Sequence, residues 1–494
     1  MSEDYLAFDL GAESGRAILG RLDEEGRLQI KELHRFPNGM IDIRGNLYWD
    51  ILRLYVEMLQ GMRIFATNYA SPPVSIGVDT WGVDFGLLDA RGNLISAPFT
   101  YRDRRTIGAM EEVFSRISRE RLYQLTGIQF MQLNTVFQLY SMVRDRSPQL
   151  EMASDLLFIP DILNYFFTDT KQSEFTFATT SQLYNPRTAS WESEIFEQLE
   201  IPMGIMQEIV PPGTIIGELT ENISNQTGLK GIPVVATATH DTGSAVAAVP
   251  ATGGNFIYIS CGTWSIMGIE SETPIIDEKT FEYNIANEGG ICGTFRVLKD
   301  IMGLWLLQEC RKEWAKNREY SYRELTELAE NTAPIETVID PDCPEFLNPV
   351  SMTQAIEGYC RATGQPVPRE VGQFAHTILR SLALAYRYTL GQFEEISGQV
   401  IEQIHIIGGG SQNQLLCQFT ADATGLPVYA GPAEATAIGN ILVQAMAFGR
   451  ISSLRELREV VRRSFNLKLY EPRRTPDWDE AYGRFSELKH LSAK

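Results

Sequence analysis

Apolar and polar residues near the start of the chain follow the pattern of a meander of three strands. Residues 5–9 form a short apolar run, residues 16–22 resume it after a turn, and residues 28–34 alternate between apolar and polar side chains. Apolar residues then recur at helical intervals over residues 50–65, and residues 74–78 form a β-branched run. These patterns predict the element order βββαβ.

A similar order of elements recurs in the second half of the chain. Strand patterns at residues 256–260, 264–269 and 294–298 precede a helical stretch at residues 303–315. Such a repeat favours an α/β protein with two related domains that face one another across a cleft, with residues 250–255 as the hinge.

Other segments carry signals for single elements. Residues 111–126 predict an amphipathic helix, residues 371–396 a long helix and residues 403–407 a buried strand. A helix is also expected at residues 434–448, although Gly439 lies inside it. Because a glycine within a helix costs about 1 kcal/mol relative to alanine, we expect another part of the chain to pack closely there.

Composition and charge exclude several classes of function. Hydrophobic residues make up 44% and charged residues 21% of the chain, as in ordinary globular enzymes. The net charge of −20 repels polyanions, so nucleic acid is not expected as a partner. The six cysteines form no Cys-x-x-Cys pair, so no zinc cage is expected. Without a signal-peptide pattern or a long apolar run, we expect a cytoplasmic protein with no membrane partner.

Turns rich in glycine follow several of the predicted strands. The turn DLGAESGR at residues 9–16 links two strands, so its backbone N–H groups could hold phosphate oxygens, or it could be a plain hairpin. Asp9 stands at the strand end, where a carboxylate could hold Mg²⁺ through water. A second turn at residues 260–264 presents the hydroxyl of Thr263.

A third glycine-rich turn, GGGS at residues 408–411, follows the strand at residues 403–407. Its glycines would let a flat or anionic ligand approach the backbone, or the turn could connect strand and helix without a ligand. Ser411 and Gln414 have the spacing of a capping box for a helix that Gly425 ends.

The turn that contains His240, Asp241 and Thr242 follows an apolar run at residues 234–238. A carboxyl group at a strand end could accept the proton of an attacking hydroxyl while backbone N–H groups orient a phosphoryl group. A Ser/His/Asp triad with Ser244 is a competing interpretation, although Ser244 stands in no G-x-S-x-G elbow. Asp241 could also be the N-cap of a following helix, and that role is compatible with catalysis.

The segment DTWGVDFG at residues 79–86 combines polar groups with the ring of Trp81 at a strand end. Acceptors beside an aromatic surface suit a sugar, whose hydroxyls need directed partners and whose C–H faces need an apolar wall. Tyr101 could extend that wall, whereas Arg102 and Asp103 could equally form a local ion pair.

Several motifs, taken together and in this order, resemble one known family. They are DLGAESGR, IGVDTWGVDFGLLD, the YRD segment, ATHDTGSAV, SCGTWS, RVLKDIMGLWLLQ and HIIGGGSQNQ, spread over about residues 5–450. The chain resembles the FGGY carbohydrate kinases within the actin-like, hexokinase-like ATPase superfamily. The literal tetrapeptide that names the family is absent.

The resemblance implies two actin-like (ribonuclease H-like) domains, ATP and Mg²⁺ as cofactors, and Asp241 as the proton acceptor. Residues 1–249 would bind the sugar and carry the base, residues 250–455 would bind the nucleotide, and residues 456–494 would form a peripheral tail. The expected sugar neighbours are Trp81, Gly82, His240, Thr242 and Asp300. The expected nucleotide neighbours are Ala12, Glu13, Ser14, Gly15, Arg16, Thr263, Gln308 and Gly409.

The implied reaction is transfer of the γ-phosphoryl group of ATP to the carbon-1 hydroxyl of L-rhamnulose. Asp300 stands where the family pattern has Asn, and an ionised Asp can only accept hydrogen bonds. Asp300 could alternatively cap the helix expected near Gly303. A kinase of another ketose such as L-fuculose therefore stays open. A non-catalytic sugar- or nucleotide-binding switch also stays open, although the presence of Asp241 argues against it.

Overall fold

The computed structural model describes residues 2–253, 255–333, 335–473 and 476–492, so Gly254 of the expected hinge lies outside the described residues. The chain divides into two compact units. The first unit comprises Met1–Ala248, Glu270–Val297 and Ala435–Ser464. The second unit comprises Val249–Ile269, Leu298–Glu434 and Phe465–Lys494.

The strands have the following bounds: β1 (Glu3–Leu10), β2 (Ser14–Leu22), β3 (Leu28–Pro37), β4 (Met40–Ile43), β5 (Asn46–Trp49), β6 (Ile76–Thr80), β7 (Phe85–Leu88), β8 (Asp155–Phe158), β9 (Ser173–Glu174), β10 (Tyr184–Asn185), β11 (Ser190–Trp191), β12 (Ile209–Val210), β13 (Thr214–Glu218), β14 (Pro233–Ala236), β15 (Phe256–Cys261), β16 (Trp264–Ser271), β17 (Ala286–Gly289), β18 (Phe295–Met302), β19 (Gln403–Ile407), β20 (Val428–Ala430) and β21 (Lys468–Tyr470).

The α-helices are α1 (Ile51–Asn68), α2 (Ala109–Arg116), α3 (Arg119–Thr126), α4 (Thr135–Arg144), α5 (Pro148–Met152), α6 (Ile159–Thr168), α7 (Phe175–Ala178), α8 (Ser193–Leu199), α9 (Glu221–Thr227), α10 (Asp241–Ala247), α11 (Glu278–Glu282), α12 (Trp305–Trp314), α13 (Tyr322–Asn331), α14 (Met352–Ala362), α15 (Val371–Ser397), α16 (Gln414–Thr424), α17 (Ala435–Ala447), α18 (Leu454–Ser464) and α19 (Pro476–Ser492). Short 3-10 helices occupy Arg104–Thr106, Thr179–Ser181, Met203–Ile205, Ile291–Gly293, Pro344–Phe346 and Gly409–Gln412.

The first unit is built on a mixed sheet with the strand order β13-β14-β6-β1-β2-β3. β1, β2 and β3 form an antiparallel meander, whereas β1, β6 and β14 run parallel to one another. Helix α1 covers this sheet because Leu54, Met58 and Met62 recur every four residues and are buried on one face. The side chain of Asp50 caps α1 by accepting the N–H of Arg53.

The sheet of the second unit runs β18-β16-β15-β19-β20-β21. Strand β15 is antiparallel to β16 and parallel to β19, which is in turn parallel to β20. The meander followed by parallel strands therefore occurs in both units. The predicted α/β class with two βββαβ-type domains is confirmed, and within the described residues no helix has the length and apolarity needed to cross a membrane.

Three boundaries, one of a unit and two of helices, bear on the expectations from the sequence. Residues 270–297 and 435–464 belong to the first unit, because they pack on it although they are distant in sequence. The domain bounds expected from the sequence stay a prediction. The single helix predicted at residues 111–126 is wrong: α2 and α3 are separate, because Ile117 and Ser118 have extended backbones. The end of the long helix α15 at Gly398 is as the pattern predicts.

Helix α17 packs against α10 and β1 within the first unit, and Gly439 lies at this contact. A Cβ atom on Gly439 would overlap the carbonyl oxygen of Ser244 in α10. The expectation that something packs closely against this glycine is confirmed. Because the two helices meet backbone to backbone, even a methyl group would force them apart.

We therefore expect Gly439→Ala to lower the free energy of unfolding by about 2 kcal/mol or more, as overpacking does in a tight interior. Urea unfolding followed by tryptophan fluorescence measures this change. Gly391→Ala in α15 is the matched control, because outside its own helix backbone no heavy atom of the described residues lies within 4 Å of the position of its Cβ. This control should be neutral, or stabilising by up to about 1 kcal/mol. Equal effects of the two substitutions would contradict the close contact at Gly439.

Candidate active site

Three neighbouring parallel strands of the first unit bring their carboxyl ends to one edge of the sheet. Asp9 near the end of β1 is in register with Asp79 near the end of β6. His240 follows β14 and forms a parallel bridge with Thr80. Ligands of α/β proteins bind at this kind of edge, so the local chain order places these polar residues where a site is expected.

Asp241 lies at the start of α10, where its side chain is 31% exposed. Its Oδ1 accepts a hydrogen bond from the hydroxyl of Thr242 at 3.0 Å and lies 3.5 Å from His240 Nε2. Burial raises the pKa of Asp241 and the charge of Asp9 adds to this, while His240 acts in the opposite direction. Asp241 is thus an accessible carboxyl group whose affinity for a proton is increased.

Two alternative roles at this turn are wrong. Asp241 is not the N-cap of α10, because His240 occupies that position and Asp241 is the first helical residue. Ser244 is not a nucleophile, because its hydroxyl is fully buried and donates to the carbonyl oxygen of Ala238 at 2.7 Å. Asp241 stays the candidate proton acceptor at this turn.

Asp79, which sequence reasoning did not single out, is completely buried beside Asp9. Its Oδ2 accepts a hydrogen bond from Asn440 at 2.6 Å, and its Oδ1 has no hydrogen-bond partner in the part of the chain that the structure describes. Burial, and then the charge of Asp9, raise the pKa of Asp79 well above its usual value. The signal for Asn440 was present, because it follows the unusual Gly439 within a helix.

Asp9 forms an ion pair with Arg16 of the neighbouring strand. Within the described ranges of the chain, no group of three or more His, Cys, Asp or Glu residues is arranged to hold a metal ion. Asp9, with the unpartnered Oδ1 of Asp79 on the next strand, fits an ion that keeps its waters and binds few carboxylates. Mg²⁺ is such an ion, and it usually takes its remaining ligands from substrate phosphates.

The segment expected to contact a sugar is held by the buried carboxylate of Asp84. Asp84 accepts hydrogen bonds from the indole nitrogens of Trp49 and Trp81 at 2.6 and 2.9 Å, and from Gln138 at 2.9 Å and the backbone of Tyr101 at 3.1 Å. The rings of Trp49 and Trp81 lie 4.1 Å apart. Trp81 is therefore packed in the core at 5% exposure, and the role of its ring as a sugar wall stays a prediction.

Gly82 lies directly beside the turn that contains His240 and Asp241. A Cβ atom at Gly82 would be 3.2 Å from Nε2 of His240, so a side chain there would occupy space next to the imidazole. Asp103 accepts backbone N–H groups from Leu47 and Arg105, at 2.7 and 2.9 Å. Gly82, His240 and Thr242 thus lie together in the first unit, and their contact with a sugar stays a prediction.

The expected nucleotide residues fall into both units. Ala12, Glu13, Ser14, Gly15 and Arg16 belong to the first unit, where the N–H of Gly11 donates to the carbonyl of Ser14 and closes a tight turn. Thr263, Gln308 and Gly409 belong to the second unit. Gly262, Gln308 and Gly409 line a pocket there of about 820 Å³. That volume is in the range of small-molecule sites.

The glycine-rich turn at this pocket has a different role at each position. A Cβ atom on Gly410 would collide with Cys261, whereas no atom lies within 4 Å of the Cβ position of Gly409. The capping box predicted for Ser411 and Gln414 is wrong. Ser411 lies in a 3-10 helix and donates to the carbonyl of Gly408, and Asn413 caps α16 instead.

Asp300 lies within β18 and is half-buried. The helix that follows begins at Trp305 and has Leu304 at its N-cap position. The alternative role of Asp300 as a helix cap is therefore wrong, and a contact with the sugar stays a prediction.

Comparison with known proteins identifies the class. The family model "FGGY family of carbohydrate kinases, N-terminal domain" matches residues 4–248, and the corresponding C-terminal domain matches residues 257–448. The chain therefore belongs to the FGGY family of carbohydrate kinases. Similar proteins include the rhamnulokinase of Bacteroides thetaiotaomicron, 48% identical over 98% of this chain and 99% of the relative. The rhamnulokinase of Oceanobacillus iheyensis is 43% identical over 95% of this chain and 98% of the relative.

Solved structures of sugar kinases share the fold. A gluconate kinase from Lactobacillus acidophilus has a TM-score of 0.80 at 13% identity, covering 100% of this chain and 97% of that one. A xylulose kinase from Rhodospirillum rubrum has a TM-score of 0.78 at 18% identity, covering 100% and 98%. At these identities the likeness establishes the fold alone.

The four hydrogen bonds to Asp84 lead to a prediction for Asp84→Asn. We expect a loss of about 2 kcal/mol or more in the free energy of unfolding at pH 5, because an amide group cannot accept all four donors. Burial raises the pKa of Asp84 to about 6. Protonation of Asp84 therefore stabilises the native protein at low pH. This contribution to the free energy of unfolding is lost as the pH rises through about 6. The loss caused by the substitution should accordingly be smaller at pH 7.

Urea unfolding at the two pH values measures this difference. Asp89→Asn is the control, because Asp89 accepts the N–H groups of Arg91 and Asn93 in an exposed turn, where an Asn oxygen can do the same. An Asp84→Asn protein as stable as this control would show that the network does not hold the segment.

Proposed function

We propose that the protein transfers the γ-phosphoryl group of ATP to the carbon-1 hydroxyl of L-rhamnulose, giving L-rhamnulose 1-phosphate and ADP in rhamnose catabolism. The observation that carries this proposal is the accessible Asp241 at the carboxyl end of a parallel strand, beside His240 and Thr242. Membership of the FGGY family supports the reaction class, and the similarity to rhamnulokinases supports the choice of sugar.

In the proposed reaction, the sugar hydroxyl loses its proton to Asp241 as its oxygen attacks the γ-phosphorus. The bond from the γ-phosphorus to the bridging oxygen breaks, and ADP leaves with that oxygen. The increased proton affinity of Asp241 suits a base at this position, because burial raises its pKa towards the working pH. Gly82, His240 and Thr242 would orient the sugar hydroxyl toward Asp241.

On the nucleotide side, the turn from Ala12 to Arg16 would hold phosphate oxygens, and Thr263, Gln308 and Gly409 would contact the nucleotide. Mg²⁺, when bound beside Asp9, would neutralise charge that develops on the phosphoryl oxygens. The acidic chain, at a net charge of −20, suits a cytoplasmic enzyme of small molecules rather than a protein that binds nucleic acid.

A kinase of another ketose is the second candidate, and the observation that favours it is Asp300 in β18. An ionised carboxylate accepts hydrogen bonds but cannot donate one, so the sugar hydroxyl that it meets must be a donor. This alternative changes the preferred sugar and leaves the reaction class unchanged.

We expect Asp241→Asn to lower kcat by roughly a hundredfold or more, because the amide keeps the shape of the side chain but cannot accept the proton. Nucleotide affinity should stay within about twofold of the parent. Steady-state kinetics with L-rhamnulose and a parallel titration with ADP measure the two quantities. Activity within about threefold of the parent would contradict the role of Asp241 as the base.

A second experiment tests the sugar. Asp300→Asn should be tolerated. Asp300→Ala should reduce the preference for L-rhamnulose over L-fuculose and D-xylulose by roughly ten- to a hundredfold, because the sugar hydroxyl that donates to Asp300 would be left unpaired. The measurement is kcat/KM for the three sugars on the parent and both variants. An equal fall for all three sugars in the Ala variant would show that Asp300 does not read the sugar.

A further inference from the structure

A buried ion pair contacts the Nδ1 side of His240, and the reaction described above does not use this pair. In the first unit, Nη2 of Arg296 lies 2.9 Å from Oε2 of Glu288, and both residues lie 3.2 Å from Nδ1 of His240. The Arg296 side chain is completely buried, and its Nε donates to the carbonyl oxygen of Gly289 at 2.8 Å. The three side chains therefore form one compact buried cluster.

Arg296 and Glu288 carry opposite charges, so the cluster has no net charge when His240 is neutral. Burial alone would raise the pKa of Glu288, but the charge of Arg296 is the strongest of the influences that oppose burial, and the pKa lies below its usual range. Glu288 is accordingly ionised, and its charge compensates the guanidinium of Arg296. A neutral imidazole then completes the cluster without adding a buried charge.

The hydrogen bond from Arg296 restricts where the proton of a neutral His240 can reside. Oε2 of Glu288 lies at the same distance from Nδ1 but has no hydrogen-bond partner among the described residues, whereas Nη2 of Arg296 forms a hydrogen bond with Nδ1. A guanidinium group has only donors, so Nδ1 is the acceptor in this hydrogen bond. A neutral imidazole that accepts at Nδ1 carries its hydrogen on Nε2. Nε2 is the nitrogen that lies 3.5 Å from Oδ1 of Asp241 and faces Gly82.

We propose that Glu288 and Arg296 are positioning residues that fix His240 as the Nε2–H tautomer, so that it presents a hydrogen-bond donor to Asp241 and to the bound sugar. A donor at this place favours the ionised form of Asp241, which is the form that can accept a proton. Arg296 fixes the tautomer directly, and Glu288 fixes Arg296. The consequence for catalysis rests on the proposed function, but the tautomer does not.

The tautomer can be measured without any assay of activity. In the ligand-free parent labelled with ¹⁵N-histidine, long-range ¹H–¹⁵N spectra at neutral pH distinguish a protonated from an unprotonated nitrogen. His240 is one of five histidines, and its signals are those absent from His240→Gln. We expect protonated Nε2 and unprotonated Nδ1. A protonated Nδ1, with or without a hydrogen on Nε2, would overturn the proposal even if the enzyme phosphorylates L-rhamnulose.

The double variant Glu288→Gln with Arg296→Met removes both charges together and so leaves no unpaired buried ion. The signals of His240 should then average between the two tautomers. We expect kcat/KM for the sugar to fall by about tenfold or more, because the donor is no longer held in place, while KM for ATP stays within about twofold. An unchanged tautomer or unchanged sugar kinetics in the folded double variant would contradict the role of the pair.

Lys171 and Asp155 supply the matched control. They form an ion pair 2.5 Å long in the same unit, and Asp155 also accepts from Gln207. Lys171→Met with Asp155→Leu should leave the His240 signals and the sugar kinetics as in the parent. An equal loss of sugar kinetics in this control would show that any broken ion pair in the unit has this effect, which would overturn the specific role of Glu288 and Arg296. If the test variant does not fold, the spectrum of the parent still decides the tautomer.

Discussion

The arrangement of the first unit depends on the direct backbone contact between α10 and α17 at Gly439. Because no side chain separates the two helices, the next residue, Asn440, reaches the carboxylate of Asp79 in the neighbouring strand. Gln444, one turn later, donates to Asn440 at 2.8 Å and accepts from the hydroxyl of Ser75 at 2.7 Å. A single close approach thus connects the helix that begins at Asp241 with the strand beside it.

The three carboxyl groups at this edge of the sheet are stabilised in different ways. Asp9 has a cationic partner in Arg16. Asp79 is buried with an amide donor, and its raised pKa favours the protonated form. Asp241 is the most exposed of the three, at 31% of its side chain. The environments of Asp9 and Asp79 limit the repulsion between like charges at this edge, and Asp241 remains the accessible carboxyl group of the three.

Features that depend on neighbours in sequence could be predicted, and features that depend on distant partners could not. The strands of both meanders follow from alternation of side chains, and the turn at Asp241 follows from its position after a buried strand. The division at Ile117 and Ser118 is a local change of backbone that helical periodicity does not encode. The 3-10 helix at Gly409–Gln412 likewise takes Ser411 away from the cap position.

The buried polar residues show the same limit within the site. Asp84 accepts a hydrogen bond from Gln138, which lies 54 positions away in the sequence. His240 is hydrogen-bonded to Arg296, which lies 56 positions away. No local spacing indicates such pairs, so the sequence indicated residues of the candidate site but not the residues that hold them in place. Gly439 is the exception, because a glycine inside a helix is locally unfavourable and so indicates a distant contact.

Because Ala435–Ser464 belongs to the first unit, the order of synthesis affects how this unit folds on the ribosome. Residues up to Ala248 emerge early, but Asn440 is still untranslated at that time, so the carboxylate of Asp79 has no amide donor. The first unit is therefore completed only after most of the second unit has been synthesised. During that interval the nascent chain exposes the surfaces of α10 and β1 that α17 later covers, which makes them candidate sites for chaperone binding.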